Sequence, residues 1–176
     1  METSIQWERG LKVALVLLLF VRSASAQEHK PDRIQPSCGP GDIQFEVRTS
    51  KGQSDTDIEA GKARVYVAQV FAKYPFEFHR PILRIGLNGT WVGATRGNSY
   101  FVFSVGPGEH HLCVQWQSRS LWREAAFASF TAETGKRYYF RARITHQVGL
   151  DLEKVDRDEG QFLVSSSALS IPHPKK

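Results

Sequence analysis

Hydrophobic and polar residues alternate in short runs along most of this chain. Ile43, Phe45 and Val47 alternate with polar neighbours, the pattern of a half-buried strand over residues 43–49. Residues 62–70 (KARVYVAQV) form a β-branched run. Residues 82–87 end at Asn88-Gly89, a pair that favours a two-residue hairpin because both central positions need positive φ, and residues 90–92 return. Residues 93–98 read as a loop, and 99–105 (SYFVFSV) as a further strand. Gly106-Pro107-Gly108-Glu109 turns the chain into residues 110–117, with Leu112, Val114 and Trp116 on one face and His111, Cys113 and Gln115 on the other. Residues 125–132 form the next strand. A tight turn at 133–136 leads into 137–145, which points Tyr138, Phe140, Ala142 and Ile144 inward and Tyr139, Arg141, Arg143 and Thr145 outward. Residues 150–155 are the last strand.

Beyond it, Asp158 is placed to cap a short helix over 159–167 with Phe162, Leu163, Ser166 and Leu169 on one face. Residues 171–176 read as a frayed tail. Eight or nine short strands with turns every eight to twelve residues predict an all-β fold, an antiparallel β-sandwich with a short C-terminal helix. Nothing alternates with the strands to suggest a βαβ plan. The sandwich is expected over 43–170, after a proline-rich, polar, flexible segment at 27–42.

The first residues have a different composition. Arg9 and Lys12 precede an uncharged apolar run, residues 13–21 (VALVLLLFV), followed by Arg22-Ser23-Ala24-Ser25-Ala26. Such a run is too short to span a bilayer, which takes about 20 apolar residues. Small residues at Ala24 and Ala26 fit the pocket of a signal peptidase, so residues 1–26 read as a signal peptide cut between Ala26 and Gln27. No second apolar run of spanning length follows, and the mature chain is expected to be soluble and exported, periplasmic or extracellular.

Charge alters this picture little. The net charge is +5 over the whole chain. The leader carries three basic and two acidic residues, and the remaining surplus is scattered apart from Lys175-Lys176. Nucleic acid is not an expected partner. The cysteine content matters more, because Cys38 and Cys113 are the only two. That excludes a multi-cysteine metal or iron–sulfur site. In an oxidising compartment the pair reads as one disulfide, closing a loop of about 76 residues worth on the order of 4–5 kcal/mol on a chain-entropy account.

Residues 84–116 (RIGLNGTWVGATRGNSYFVFSVGPGEHHLCVQW) run strand, N-G-x-W-V-G, strand, P-G-E-H, strand. This resembles PEGA-type surface-layer modules. The wider region 62–170 is similar to the bacterial family known only as domain of unknown function 2846. Residues 61–67 (GKARVYV), the Asn88-Gly89 turn, residues 107–110 (PGEH), residues 134–140 (TGKRYYF) and Asp158-Glu159-Gly160 carry the likeness. The resemblance implies an exported, envelope-associated all-β domain, and it brings no catalytic residues with it.

Each candidate site competes with a structural explanation. His110 and His111 are strand neighbours pointing to opposite faces, so they cannot easily chelate one metal without His79 or Glu109. Asn88-Gly89-Thr90 fits a glycosylation sequon, and hairpin geometry explains the same residues. Asp151, Glu153, Asp156, Asp158 and Glu159 suggest oxygen ligation of calcium or a paired-carboxylate hydrolase, but they also suit a solvated turn and a helix cap. No G-x-S-x-G elbow or phosphate loop is present. Tyr139, Arg141 and Arg143 share a strand face that could bind glycan or peptide, and the 93–99 loop is a second candidate surface. The expectation is a non-catalytic binding or structural module of the bacterial envelope, with no cofactor and an envelope protein or glycan as its unknown partner. The alternatives are a periplasmic hydrolase or a small-ligand carrier.

Overall fold

The computed structural model describes residues 38–41, 43–52, 57–71, 81–117, 125–144 and 149–175. The leader, the expected cut between Ala26 and Gln27 and most of the 27–42 segment lie outside them. The described residues hold strands β1 (Phe45–Ser50), β2 (Ala63–Phe71), β3 (Ile82–Leu87), β4 (Thr90–Arg96), β5 (Ser99–Val105), β6 (Gly108–Trp116), β7 (Ala125–Ala132), β8 (Arg137–Ile144) and β9 (Leu150–Val155), then helix α1 (Arg157–Ser165) and strand β10 (Ala168–Pro174). None of the described helices is long and apolar enough to cross a membrane.

The strands form two packed sheets, a mostly β, sandwich-like fold. One sheet has six strands in the order β1-β10-β5-β2-β8-β9, and the other has four in the order β4-β3-β6-β7. Alternation along each strand sends one set of side chains into the space between the sheets. Val65, Val67, Leu83, Ile85, Leu112 and Val114 are fully buried there, with Phe130 and Phe140 beside them. Each such aliphatic side chain contributes about 1.5–3 kcal/mol on burial.

Three expectations need correction. The six-stranded sheet is mixed rather than antiparallel. β2 runs parallel to β8 from Arg64↔Arg137 to Phe71↔Ile144, and β10 runs parallel to β5 at Ala168 and Leu169. Side-chain periodicity records which face is buried and carries no trace of a partner's direction.

The strands number ten, because residues 171–174 are not a frayed tail but the end of β10, paired antiparallel with β1 from Phe45↔Pro174 to Ser50↔Leu169. Pro172 and Pro174 masked this strand. Past Leu169, β10 has a neighbour on one side only, so it can accommodate residues lacking an N–H. Finally, residues 93–96 are strand rather than loop. Gly93 pairs with Ile85 and lies so close to Phe101 that a Cβ would sit 2.4 Å from the ring. The glycine here marks a close approach, not a turn.

The Asn88-Gly89 hairpin forms as its sequence demands, with φ of 50° and 78° at the two residues. Helix α1 begins two residues earlier than expected. Asp156, not Asp158, is its N-cap and accepts a hydrogen bond from the Glu159 amide at 2.8 Å. Phe162 faces solvent at 67% exposure. Leu163 and Val164, with Leu169, instead pack on Tyr66, Ala68, Tyr100, Tyr139 and Val155, on the outer face of the six-stranded sheet.

Gly160 sets how closely α1 approaches. A Cβ there would lie 2.1 Å from Cγ of Tyr139. Glycine to alanine inside an exposed helix ordinarily stabilises by about 1 kcal/mol. Gly160→Ala should do the reverse and cost about 1–3 kcal/mol, because the helix must lift from the sheet. Urea denaturation measures the sign directly, and a stabilised variant would contradict this packing.

Candidate functional site

The N-terminal end of the described chain crosses the outer face of the four-stranded sheet. Cys38 on this strap is bonded to Cys113 on β6, with the Cα atoms 5.4 Å apart, so the expected disulfide is formed. Both cysteines are buried, in a cluster with Phe45, Val47, Trp91 and Ala94. Gly86 on β3 lets the strap lie flat, since a Cβ there would come within 2.2 Å of the Cys38 carbonyl oxygen. The Trp91 indole N–H donates to the Pro40 carbonyl at 2.8 Å, and the same ring is packed against Gly39.

Arg84 lies over Trp91, 4.2 Å from the ring centroid. It donates to the Ile43 carbonyl at 3.1 Å and to Gln115 Oε1 at 2.9 Å, and burial holds its pKa below the usual value. The Gln117 amide acts as a false strand residue for Phe45, accepting from its N–H at 2.7 Å and donating to its carbonyl at 2.8 Å. These residues form a seam in which Trp91 and Arg84 bond the segment before β1 and Gln117 bonds the start of β1.

The Tyr139, Arg141 and Arg143 face is divided by α1. Tyr139 is buried beneath Gly160 and stacks on Tyr66 at 4.9 Å between centroids. Burial, with the neighbouring Tyr66, raises its pKa. Arg141 and Arg143 stand on the exposed part of the strand, opposite the acidic residues of β9.

Arg141 bonds Glu153 at 2.8 Å and also bonds Glu159 of α1. Arg143 reaches Glu153 at 3.2 Å and Asp151 at 3.5 Å. The register explains the cluster, because Arg141↔Glu153 and Arg143↔Asp151 are directly opposed pairs. The hydrogen bond from Arg141 holds the Glu153 carboxyl below its ordinary range and raises Arg141 above its own. What remains accessible is an alternating surface of paired charges, not an arginine stripe beside an aromatic ring.

The same pairing takes up three of the five acidic residues considered for calcium or hydrolysis, and Asp156 is the helix cap. Among the described residues, no group of three or more histidine, cysteine or acidic side chains is placed to hold a metal ion. The two histidines diverge. His110 Nδ1 lies 3.0 Å from the Asn88 side-chain amide nitrogen and its Nε2 2.9 Å from the Gly106 carbonyl. His111 lies 2.9 Å from Ser129 Oγ on β7. The sequon amide is occupied too, since Asn88 Oδ1 accepts from the His111 backbone at 2.9 Å. His79 lies outside the described residues. Of the 93–99 segment, only Gly97 and Asn98 form the turn.

The Arg84–Trp91 seam was not anticipated. Its signal was weak, since Arg84 and Gly86 on β3 and Trp91 on β4 form no recognisable motif.

No protein-family model matches the chain, and no curated protein matches it. A distant likeness exists to the NMR structure of a protein from Eubacterium rectale, with 12% identity over 56% of this chain and 92% of that one and a TM-score of 0.37. A likeness of that depth carries no inference.

Replacing both cysteines with alanine should cost about 2–5 kcal/mol in urea denaturation, the usual range for a native disulfide. An unchanged midpoint would show that the strap holds without it. The acid cluster has its own signature. Glu153 titrates low in the folded state, so its contribution is present above the ordinary carboxylate range and lost as pH falls through its depressed value. The melting-temperature gap between the wild type and Glu153→Gln should therefore narrow toward acid pH, and a gap constant with pH would refute the pairing.

Proposed function

We propose that this chain is an exported, non-catalytic binding or structural module of the bacterial cell envelope. The observation that carries the reading is the Cys38–Cys113 disulfide, set in the middle of a buried cluster rather than on the surface. A structural bond of this kind belongs to oxidising compartments. It agrees with a leader over residues 1–26. The resemblance of residues 62–170 to domain of unknown function 2846, and of the 84–116 stretch to PEGA-type modules, supports the same compartment. The ionisable groups that the sequence offers for chemistry support a non-catalytic role. His110, His111, Arg141, Arg143, Glu153 and Glu159 are engaged in hydrogen bonds and ion pairs that hold turns, strands and the helix in place. The partner is an envelope protein or glycan.

Expression of the whole chain in a bacterial host, followed by fractionation and mass spectrometry, tests the compartment. The expected product is periplasmic, begins at Gln27 and accepts thiol label only after reduction. Cytoplasmic retention with an intact leader would overturn the reading. Mild cross-linking in the native envelope should then give a recurrent partner, or the mature chain should co-sediment with isolated cell-wall glycan. Failure of both would remove the binding role.

A further inference from the structure

Exposed strand edges present unpaired backbone groups, and proteins normally blunt them with charge, proline, a bulge or a cover. Three of the four sheet edges here are blunted. β1 carries Glu46 and Arg48, and β9 carries Asp151, Glu153 and Lys154. β4 ends in Arg96, shifts register against β3 at Ile85/Gly86 and lies where Trp91 holds the strap. Among the described residues, β7 has none of these devices. It reads AAFASFTA, with no charge, proline or glycine. It pairs with β6 in unbroken register from Gly108↔Ala132 to Gln115↔Ala125, and among the described residues it has no strand on its other side. Phe127 stands 49% exposed on its outer face.

We propose that the β7 edge pairs antiparallel with β7 of a second copy of this chain, joining two four-stranded sheets across a two-fold axis. Self-pairing sets like residue types near one another, so a charged strand would repel its own copy, whereas β7 brings no charge to the junction. Geometry limits the register. A two-fold axis perpendicular to the sheet keeps each residue on its own face, so outward residues must oppose outward ones. A register centred on Ala128 pairs residues 125–131, with Phe127 opposite Ser129 and Phe130 opposite Ala126. One centred on Ser129 pairs residues 126–132, with Phe127 opposite Thr131 and Phe130 opposite Ala128. Either way each phenylalanine meets a small or β-branched side chain, and the alanines leave the backbones free to approach.

The test is sedimentation velocity of the mature, oxidised chain over a wide concentration range. The expected wild-type result is a concentration-dependent dimer. Ser129→Lys places two lysines directly or diagonally opposed in both registers and should weaken association by about tenfold or more. Ser129→Thr, which adds no charge, should keep the dimer. If Ser129→Lys fails to fold, Ser129→Glu replaces it, because it sets two carboxylates in the same opposed positions and His111 on β6 lies directly opposite. A wild-type chain that is monomeric throughout, or a dimer indifferent to the charged variant, would overturn the proposal.

Discussion

Two sheets packed face to face leave two outer faces, and in this protein both are partly apolar and must be covered. The cover of the four-stranded sheet is the more constrained, because it is a short strap rather than a helix and cannot supply much area of its own. The Cys38–Cys113 bond fixes it. With Cys38 anchored on β6, the Pro40 carbonyl falls within reach of Trp91, the Ile43 carbonyl within reach of Arg84, and Phe45 enters β1 beside Gln117. Gly86 and Gly39 are required by the same contact, since a side chain at either would displace the strap. The other face is covered by α1, and its fit likewise rests on a glycine against an aromatic ring, Gly160 on Tyr139. Each cover therefore depends on close backbone approach more than on apolar area.

These dependencies explain which parts of the fold were legible in the sequence. Strands β3, β5, β7 and β9 alternate or run apolar between turn residues, and their expected limits coincide with those found. The hairpin at Asn88-Gly89 was legible because its chemistry is local. The disulfide was legible from the cysteine count together with the leader expected over residues 1–26. The direction of β8 beside β2 was not, because a period of two is the same for parallel and antiparallel neighbours. β10 was hidden by Pro172 and Pro174, and the second half of β4 by Gly93. In both cases residues that usually end a strand sit where the sheet tolerates or needs them.

The candidate binding face failed to emerge as expected for a related reason. Tyr139 and the two arginines do share a strand face, as alternation requires. Alternation cannot say what lies above that face, and the answer comes from a helix fifteen residues and more along the chain, together with the acidic register of β9. The five acidic residues and the arginines, read separately as a possible ion site and a possible ligand face, are largely one structural cluster. Charges that look available in a sequence can already be satisfied by the fold, and here the register decides it.

The pairing of β1 with β10 has a temporal consequence. Phe45 lies opposite Pro174, so the first described strand is held by the last. The sheet edge that completes the strap side cannot form until residues 169–174 have been synthesised. Closing a contact of such long sequence separation is slower than closing the neighbouring hairpins β3–β4, β6–β7 and β8–β9. Among the described strands, this pairing is the last to become available as the chain is made.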